Sequence, residues 1–440
     1  MWRPRALGSP GELGRLSDVT PPLSAQPSEP DTATTPGGRA RSPASLALAL
    51  APGTLLAGIA GGIAFPILPI VGLRLGLSLP FIGVILAANR AMRVVSSPVV
   101  GVFADRFGGR RTLLVGLGVQ VVVLALFALG IVTHSAGPLF LAGRLLHGPG
   151  SACVFIAAQA LALHAGGPSG AGRAAGTVRA AMVLGVPIGL AAGGLLSEAV
   201  GDAATFAIAA GAVVLALVAA FLRVPDWRGP IVGRAPLVET LRAMRDRRLF
   251  AVGALNLILN FSVGGMILTT LALLVHERHL SVLSRNEQGT AGLLMGWMIV
   301  VDASLTPLAG RIGDRWQAHA RVATGAMVFL VAGLAVVGLS HGATGLAIGL
   351  ALVGAGGAGL GPSLLVVMGN IVSRDRRGTG VGLMQFCGDI GGMLGPLVGT
   401  ALLAGSTAVP YVGTAALAAC FVPLALWLGR VETRAGVEAR

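Results

Sequence analysis

From Leu46 onward the chain alternates apolar runs of roughly 20 residues with short polar breaks. At 1.5 Å per helical residue, such a run matches the ~30 Å hydrocarbon core of a bilayer. Lipid offers backbone amides no hydrogen-bond partner, so each run must satisfy its own and is expected to be a helix. The pattern predicts about twelve transmembrane helices, near residues 46–71, 81–104, 112–133, 138–163, 177–198, 203–222, 249–275, 290–309, 321–340, 345–371, 380–404 and 409–429. The fold class is accordingly an all-α membrane protein. Residues 1–43 break the pattern: they are rich in Pro, Ser, Thr and Gly and are expected to form a disordered cytoplasmic tail. That stretch does not read as a secretory signal, because the following apolar run is too long and no small-residue cleavage site ends it.

The longest internal break, 224–248, is Arg-rich and separates six predicted spans (44–223) from six (249–430), leaving a short cytoplasmic tail at 431–440. Orientation follows from where the arginines fall. Alternate breaks carry Arg106, Arg110 and Arg111; Arg173; a cluster between 223 and 248; Arg311, Arg315 and Arg321; and Arg374, Arg376 and Arg377. The intervening breaks hold only Arg74, Arg278 and Arg285. The excess of positive charge marks the cytoplasmic side, so both termini are expected there, in the inner (cytoplasmic) membrane.

Composition agrees with lipid as the solvent: only 11% of residues are charged, against roughly 25% in soluble proteins. The net charge of +14 raises the question of nucleic acid, but the basic residues sit between apolar runs, where topology explains them and no nucleic-acid partner is expected. All 32 basic residues are Arg, which a GC-rich genome explains more simply than function does. Cys153, Cys387 and Cys420 lie in apolar runs without metal-ligand spacing and read as small packing residues.

The two halves resemble each other at a nearly constant offset. Gly101-x-x-x-Asp105-Arg106 recurs 209 residues later as Gly310-x-x-x-Asp314-Arg315. Gly148-x-Gly150 recurs as Gly354-x-Gly356, and Gly185, Gly189 and Gly193 as Gly391, Gly395 and Gly399, all at 206. Two pseudo-symmetric six-helix bundles with a site near the bilayer midplane are an architecture for alternating access.

The segment Gly101-Val-Phe-Ala-Asp105-Arg106-Phe-Gly108-Gly109-Arg110-Arg111 resembles the signature loop of the major facilitator superfamily. Gly101 and Gly108 are expected to allow close packing and a sharp turn, and Asp105 to pair with arginines at a helix end. In the superfamily this loop is a conformational latch holding the outward-open state. The resemblance implies that role for Gly101, Asp105, Arg106, Gly108, Arg110 and Arg111, and for Gly310, Asp314 and Arg315. Arg144-Leu-Leu-His147-Gly148-Pro-Gly150-Ser-Ala152 is similar to a second superfamily motif, best known in proton-driven drug exporters, with His147 where Gln is usual. There the Arg is tied to proton coupling, a role that falls to Arg144. The antiporter motif of the fifth span is degraded, with Leu190 in place of the usual Gly-Pro, whereas the eleventh keeps Gly395-Pro396-Leu-Val-Gly399. The resemblance covers residues 44–430.

Charged residues inside predicted spans are costly, roughly 2.5–3.5 kcal/mol each at the centre, so they should face the bundle interior. They are Arg90, Arg93 and Arg144 in the first half and Asp302 and Asp389 in the second. Arg90 and Arg93 share a helix face, and Arg93 and Asp302 hold the same repeat position. Three readings stand: a proton-carrying Asp302 or Asp389 tuned by a nearby Arg, arginines that bind an anionic substrate, or ion pairs that only fix packing. Asn89, His147, Gln159, Asn256, Asn260 and Gln385 are candidate cavity-lining residues. Each amide is about as well suited to interhelical bonding as to substrate contact.

The expected function is secondary transport, foremost proton-coupled efflux of small amphipathic compounds, with proton-coupled uptake of a small organic anion as the alternative. A non-transporting sensor or scaffold is the rival of another class. No triad, metal cluster or phosphate loop is placed for chemistry, so no enzyme activity, metal or cofactor is expected. The superfamily is commonly monomeric, which implies a monomer.

Overall fold

The computed structural model describes residues 43–226, 242–373 and 377–438; the expected N-terminal tail, most of the linker, and Arg374 and Arg376 lie outside the described residues. Among the described residues twelve helices are long and apolar enough to cross a membrane. They are α1 (Leu50–Arg74), α2 (Leu79–Phe107), α3 (Gly109–Val132), α4 (Ala136–Ala162), α5 (Gly176–Val200), α6 (Asp202–Arg223), α7 (Arg247–Glu277), α8 (Glu287–Trp316), α9 (His319–Leu339), α10 (Ala343–Ile371), α11 (Thr379–Leu403) and α12 (Val409–Glu432). No strand occurs among the described residues. The chain is a multi-pass membrane protein with the predicted number of spans.

Three details depart from expectation. The helical assignment runs unbroken through Ala136–Val200, across the expected break between the fourth and fifth spans. His147 and Val186 nonetheless both lie against Gly61 and Gly62 of α1. A straight helix would hold them about 58 Å apart, so the chain turns back between α4 and α5. Helix α7 contains a π-helical segment at Phe261–Ile267. Helix α12 is interrupted at Cys420 and Phe421 and then continues from Val422 to Glu438, so the expected C-terminal tail begins as helix. Cys420 is exposed at that interruption, unlike the buried Cys153 and Cys387.

The repeated glycines have a common purpose. A β-carbon on Gly189 would sit 2.2 Å from the Ile59 carbonyl oxygen of α1, and one on Gly185 2.3 Å from that of Leu55. In the second half, a β-carbon on Gly391 would sit 2.2 Å from the Leu257 carbonyl oxygen of α7, and one on Gly395 2.5 Å from Gly265 Cα. Small residues let backbones approach this closely, which is how helices associate where lipid removes the hydrophobic drive. The pairs α1–α5 and α7–α11 are therefore equivalent contacts. The apolar interior follows the same division, with Phe127, Phe140 and Phe206 stacked edge-on in the first half.

Equivalence extends to the contact between halves. Gly83 of α2 packs on Pro396 and Thr400 of α11, and the repeat-related Gly292 of α8 packs on Gly194 of α5. These contacts lie toward the end remote from the 101–111 loop. Along α2, Ile82, Gly83, Ile85, Leu86, Ala87 and Ala88 are buried, but Val95, Val99 and Val102 are each 68% exposed. Along α8 the mostly buried stretch Gln288–Gly296 likewise gives way to exposed Val300 and Leu308. The halves thus clasp at the far end and part toward the loop end.

Candidate functional site

The intramembrane charges assemble where α2 meets α11. Arg90 and Arg93, one turn apart, project from one face of α2, as their spacing requires. Asp389 of α11 accepts from Arg90 Nη1 at 3.1 Å and from Arg93 Nε at 3.2 Å, and Arg93 Nη2 also bonds to it. Gln385, one turn before Asp389, donates to the same carboxylate at 3.0 Å. Asp389 is only 2% exposed, and it joins the two halves by a charge-assisted network.

Glycines let the arginines reach this place. A β-carbon on Gly392 of α11 would lie 3.3 Å from the Arg90 guanidinium, and one on Gly264, within the π segment of α7, 3.4 Å from Arg90 Nη2. The π segment, often a mark of function, was signalled in the sequence only by the pair Gly264-Gly265. Asn260 borders it, donating to Asn256 O at 3.0 Å, while Asn256 donates to Met384 O of α11 at 2.6 Å. Asn256 is thus interhelical glue, and Gln385 and Asn260 belong to the site.

Helix α4 packs against the same stretch of α2. A β-carbon on Gly148 would meet Asn89 O at 2.7 Å and Arg93 N at 2.9 Å. Arg144 and His147 consequently belong to one cluster with Arg90 and Arg93, His147 being within electrostatic reach of all three arginines and Arg144 of Arg90. Arg144 is 1% exposed and has no carboxylate beside it among the described residues; its guanidinium lies 5.3 Å from the Phe65 ring and 5.9 Å from that of Phe127. Its Nε and Nη2, His147 Nδ1, Asn89 Oδ1 and Ser96 Oγ are buried without a hydrogen-bond partner. Gln159 lies three turns beyond Gly148 on α4, about 16 Å away, and does not join the cluster.

Asp302 differs. Its repeat relation to Arg93 is confirmed by packing, since Gly354 meets the Asp302 backbone as Gly148 meets that of Arg93. Its carboxylate lies over Gly357 of α10 and makes no hydrogen bond or ion pair among the described residues. Of the two aspartates weighed as proton carriers, only Asp389 has an arginine beside it.

The latch residues occupy the loop end. Gly108 closes α2 and opens α3 with φ +88°, a left-handed conformation that glycine adopts without strain, and its N–H bonds to Ala104 O at 2.9 Å. Arg110 donates to Phe221 O at 2.5 Å and lies over that ring, within its own half. Arg106 lies over the adjacent Phe107, while Asp105 and Arg111 are exposed. Asp314 pairs with His319 at 3.1 Å, also within its own half, and Arg315 is exposed beside it. Gly101 departs from the sequence reading: a β-carbon there would meet nothing within 4 Å, so it is not a close-packing position in this arrangement, and its repeat partner Gly310 is alike.

The far end holds a clasp that sequence reasoning missed. Arg74, at the end of α1, reaches Glu287 at 3.3 Å and Gln288 at 3.4 Å on α8, and Asp202 at 3.9 Å in its own half. His276 Nδ1 lies 2.9 Å from the same Glu287 oxygen. Glu198 of α5 accepts from Asn286 N at 3.4 Å and lies 3.9 Å from Arg285. The signal available was the scarcity of arginines there, two of which, Arg74 and Arg285, link the halves at that end.

A family model described as Major Facilitator Superfamily matches residues 50–340 and 285–439. No curated protein matches the sequence significantly. Among solved structures, that of the nucleoside transporter NupG aligns with a TM-score of 0.70 at 13% identity, covering 87% of this chain and 98% of that one. The human organic anion transporter MFSD10 (TETRAN) aligns with a TM-score of 0.64 at 19% identity, covering 88% of this chain and all of that one. At these identities the likeness establishes a shared fold.

Proposed function

Because the chain belongs to the major facilitator superfamily and is a transporter, we propose that it moves a small organic anion by alternating access, coupled to protons through Asp389. The observation that carries this reading is the excess of arginine at the junction of the halves: Arg90 and Arg93 share the single carboxylate of Asp389, and Arg144 stands within electrostatic reach of Arg90. A cationic substrate would meet net repulsion there, whereas a carboxylate or phosphate finds planar guanidinium donors matched to its geometry.

The mechanism follows from competition. An incoming anionic group competes with Asp389 for Arg90 and Arg93. A buried carboxylate stripped of its cations takes up a proton, so anion binding and proton binding rise together. Losing the Asp389 link also releases α2 from α11, freeing the halves to rock. The arginine-rich breaks support placing the loop end at the cytoplasm, with both termini, in the inner membrane, and the resemblance to the superfamily loop supports a role for the loop residues in closing it. The far-end clasp through Arg74, Glu287, Glu198 and Arg285 then closes the opposite side.

A second reading, efflux of amphipathic compounds, is favoured by Asp302, an unpaired carboxylate suited to an organic cation or a proton, and by the motif resemblance of α4 and α11. Flux in proteoliposomes separates the two. Anion uptake driven by an imposed pH gradient should vanish in Arg90→Gln and Arg93→Gln and change less than about threefold in Asp302→Asn. Anion binding that is normal in both arginine variants would end the proposal, and gradient-driven extrusion of cations lost in Asp302→Asn would establish its rival.

A further inference from the structure

Resting on the anion reading, we infer that Arg144 is a second anchoring point and that the substrate is an organic dianion with two acidic groups. Arg90 and Arg93 share Asp389, but Arg144 has no anion, and both its Nε and one terminal nitrogen are enclosed without an acceptor. A buried guanidinium left so is costly, and the two phenyl faces beside it offset only part of that cost. Two more unpartnered buried polar atoms stand close by: His147 Nδ1 one turn along α4, and Asn89 Oδ1 on the facing stretch of α2.

Charge sets the substrate class. Three guanidiniums against one carboxylate leave an excess of two positive charges, and three if Asp389 is protonated. A monoanion bound at Arg90 and Arg93 leaves Arg144 uncompensated in either case. A dianion reaches both points, with one acidic group at the Arg90–Arg93 pair and the other under Phe65 against Arg144. Phe65, partly buried on α1, stands beside the Arg144 guanidinium. The unfilled acceptors Asn89 Oδ1 and His147 Nδ1 provide for a hydroxyl or amide between the two groups.

The test compares malonate, succinate and glutarate with their own monoamides, which keep size and one acidic group. Binding is titrated on the purified full-length chain, wild type beside Arg144→Gln. For the preferred chain length, the wild type should bind the diacid about 10–100-fold tighter than the monoamide, the effect of one bidentate charged pair. In Arg144→Gln that ratio should fall below about threefold while monoamide affinity stays within about threefold. Arg144→Lys, which keeps the charge but not the fork, should lose part of the ratio and serves if the Gln variant fails to fold. A wild-type ratio near one, or a ratio unmoved in either variant, overturns the dianion while Arg90- and Arg93-dependent monoamide binding leaves the anion reading intact. If no acid binds the folded wild type, the anion reading itself falls, and this inference with it.

Discussion

The α2–α11 and α5–α8 interfaces are the same contact built twice, and they differ in where the charge sits. Both close by glycine, Gly83 against Thr400 in one and Gly292 against Gly194 in the other. Ten residues along, α2 presents Arg93 and α8 presents Asp302. Across from Arg93 stands Asp389, but the repeat position of Asp389 in α5 is Val183. The first interface is therefore tied by charge within the membrane, whereas the second is tied at its rim, where Glu198 meets Asn286 and Arg285. A symmetric fold thus carries one interface with a charged network inside the membrane and one whose charged contacts lie at its edge.

Removing the mid-membrane tie should have the largest effect. Asp389→Asn leaves Arg90 and Arg93 buried without a counter-charge, a change of about 3–5 kcal/mol, and should abolish gradient-driven flux in proteoliposomes. If flux survives while Asp302→Asn destroys it, the two interfaces have exchanged roles. A smaller loss should come from the glycine contacts common to both sides of the molecule. Gly391→Ala and Gly189→Ala each push a methyl into a carbonyl oxygen and should destabilise by about 1–3 kcal/mol, read as a lower melting temperature. Gly101→Ala, facing open space, should shift it little. The rim should respond least in stability. Arg74→Gln loosens an exposed ion pair, about 0–1 kcal/mol, so melting should scarcely move. A cysteine at Gln288 should nonetheless be labelled several-fold faster in that variant, since the far end opens more often; unchanged labelling would remove Arg74 from the clasp.

How much of this the sequence discloses depends on the range of the interaction. The twelve spans are legible because lipid imposes a long apolar run on each, a constraint local to one segment. The shared face of Arg90 and Arg93 is legible for the same reason, through helical spacing. The glycine repeats announced the paired halves, and their packing on Ile59 and Leu257 bears that out. The partner of the arginines was not legible. Asp302 and Asp389 are both solitary carboxylates in apolar runs, and nothing local separates the one that crosses to α2 from the one turned onto Gly357. The clasp was hidden by ordinary appearance, because Glu198, Arg285 and Glu287 stand where any loop would carry charge. Gly101 marks the opposite error, where a motif implied close packing that this arrangement does not contain.

The π segment of α7 carries a consequence for angular phase. Each residue advances an α-helix by about 100°, so a wider turn at Phe261–Ile267 leaves the helix on either side of it out of step. Asn256 and Asn260 before it address α11, and His276 after it addresses Glu287 at the far end. A regular helix of the same length could not hold both bearings. Regularising the segment to an α-helix at unchanged length would leave the amides in place and swing His276 by about a quarter-turn or more from its carboxylate, uncoupling the centre of the membrane from its rim.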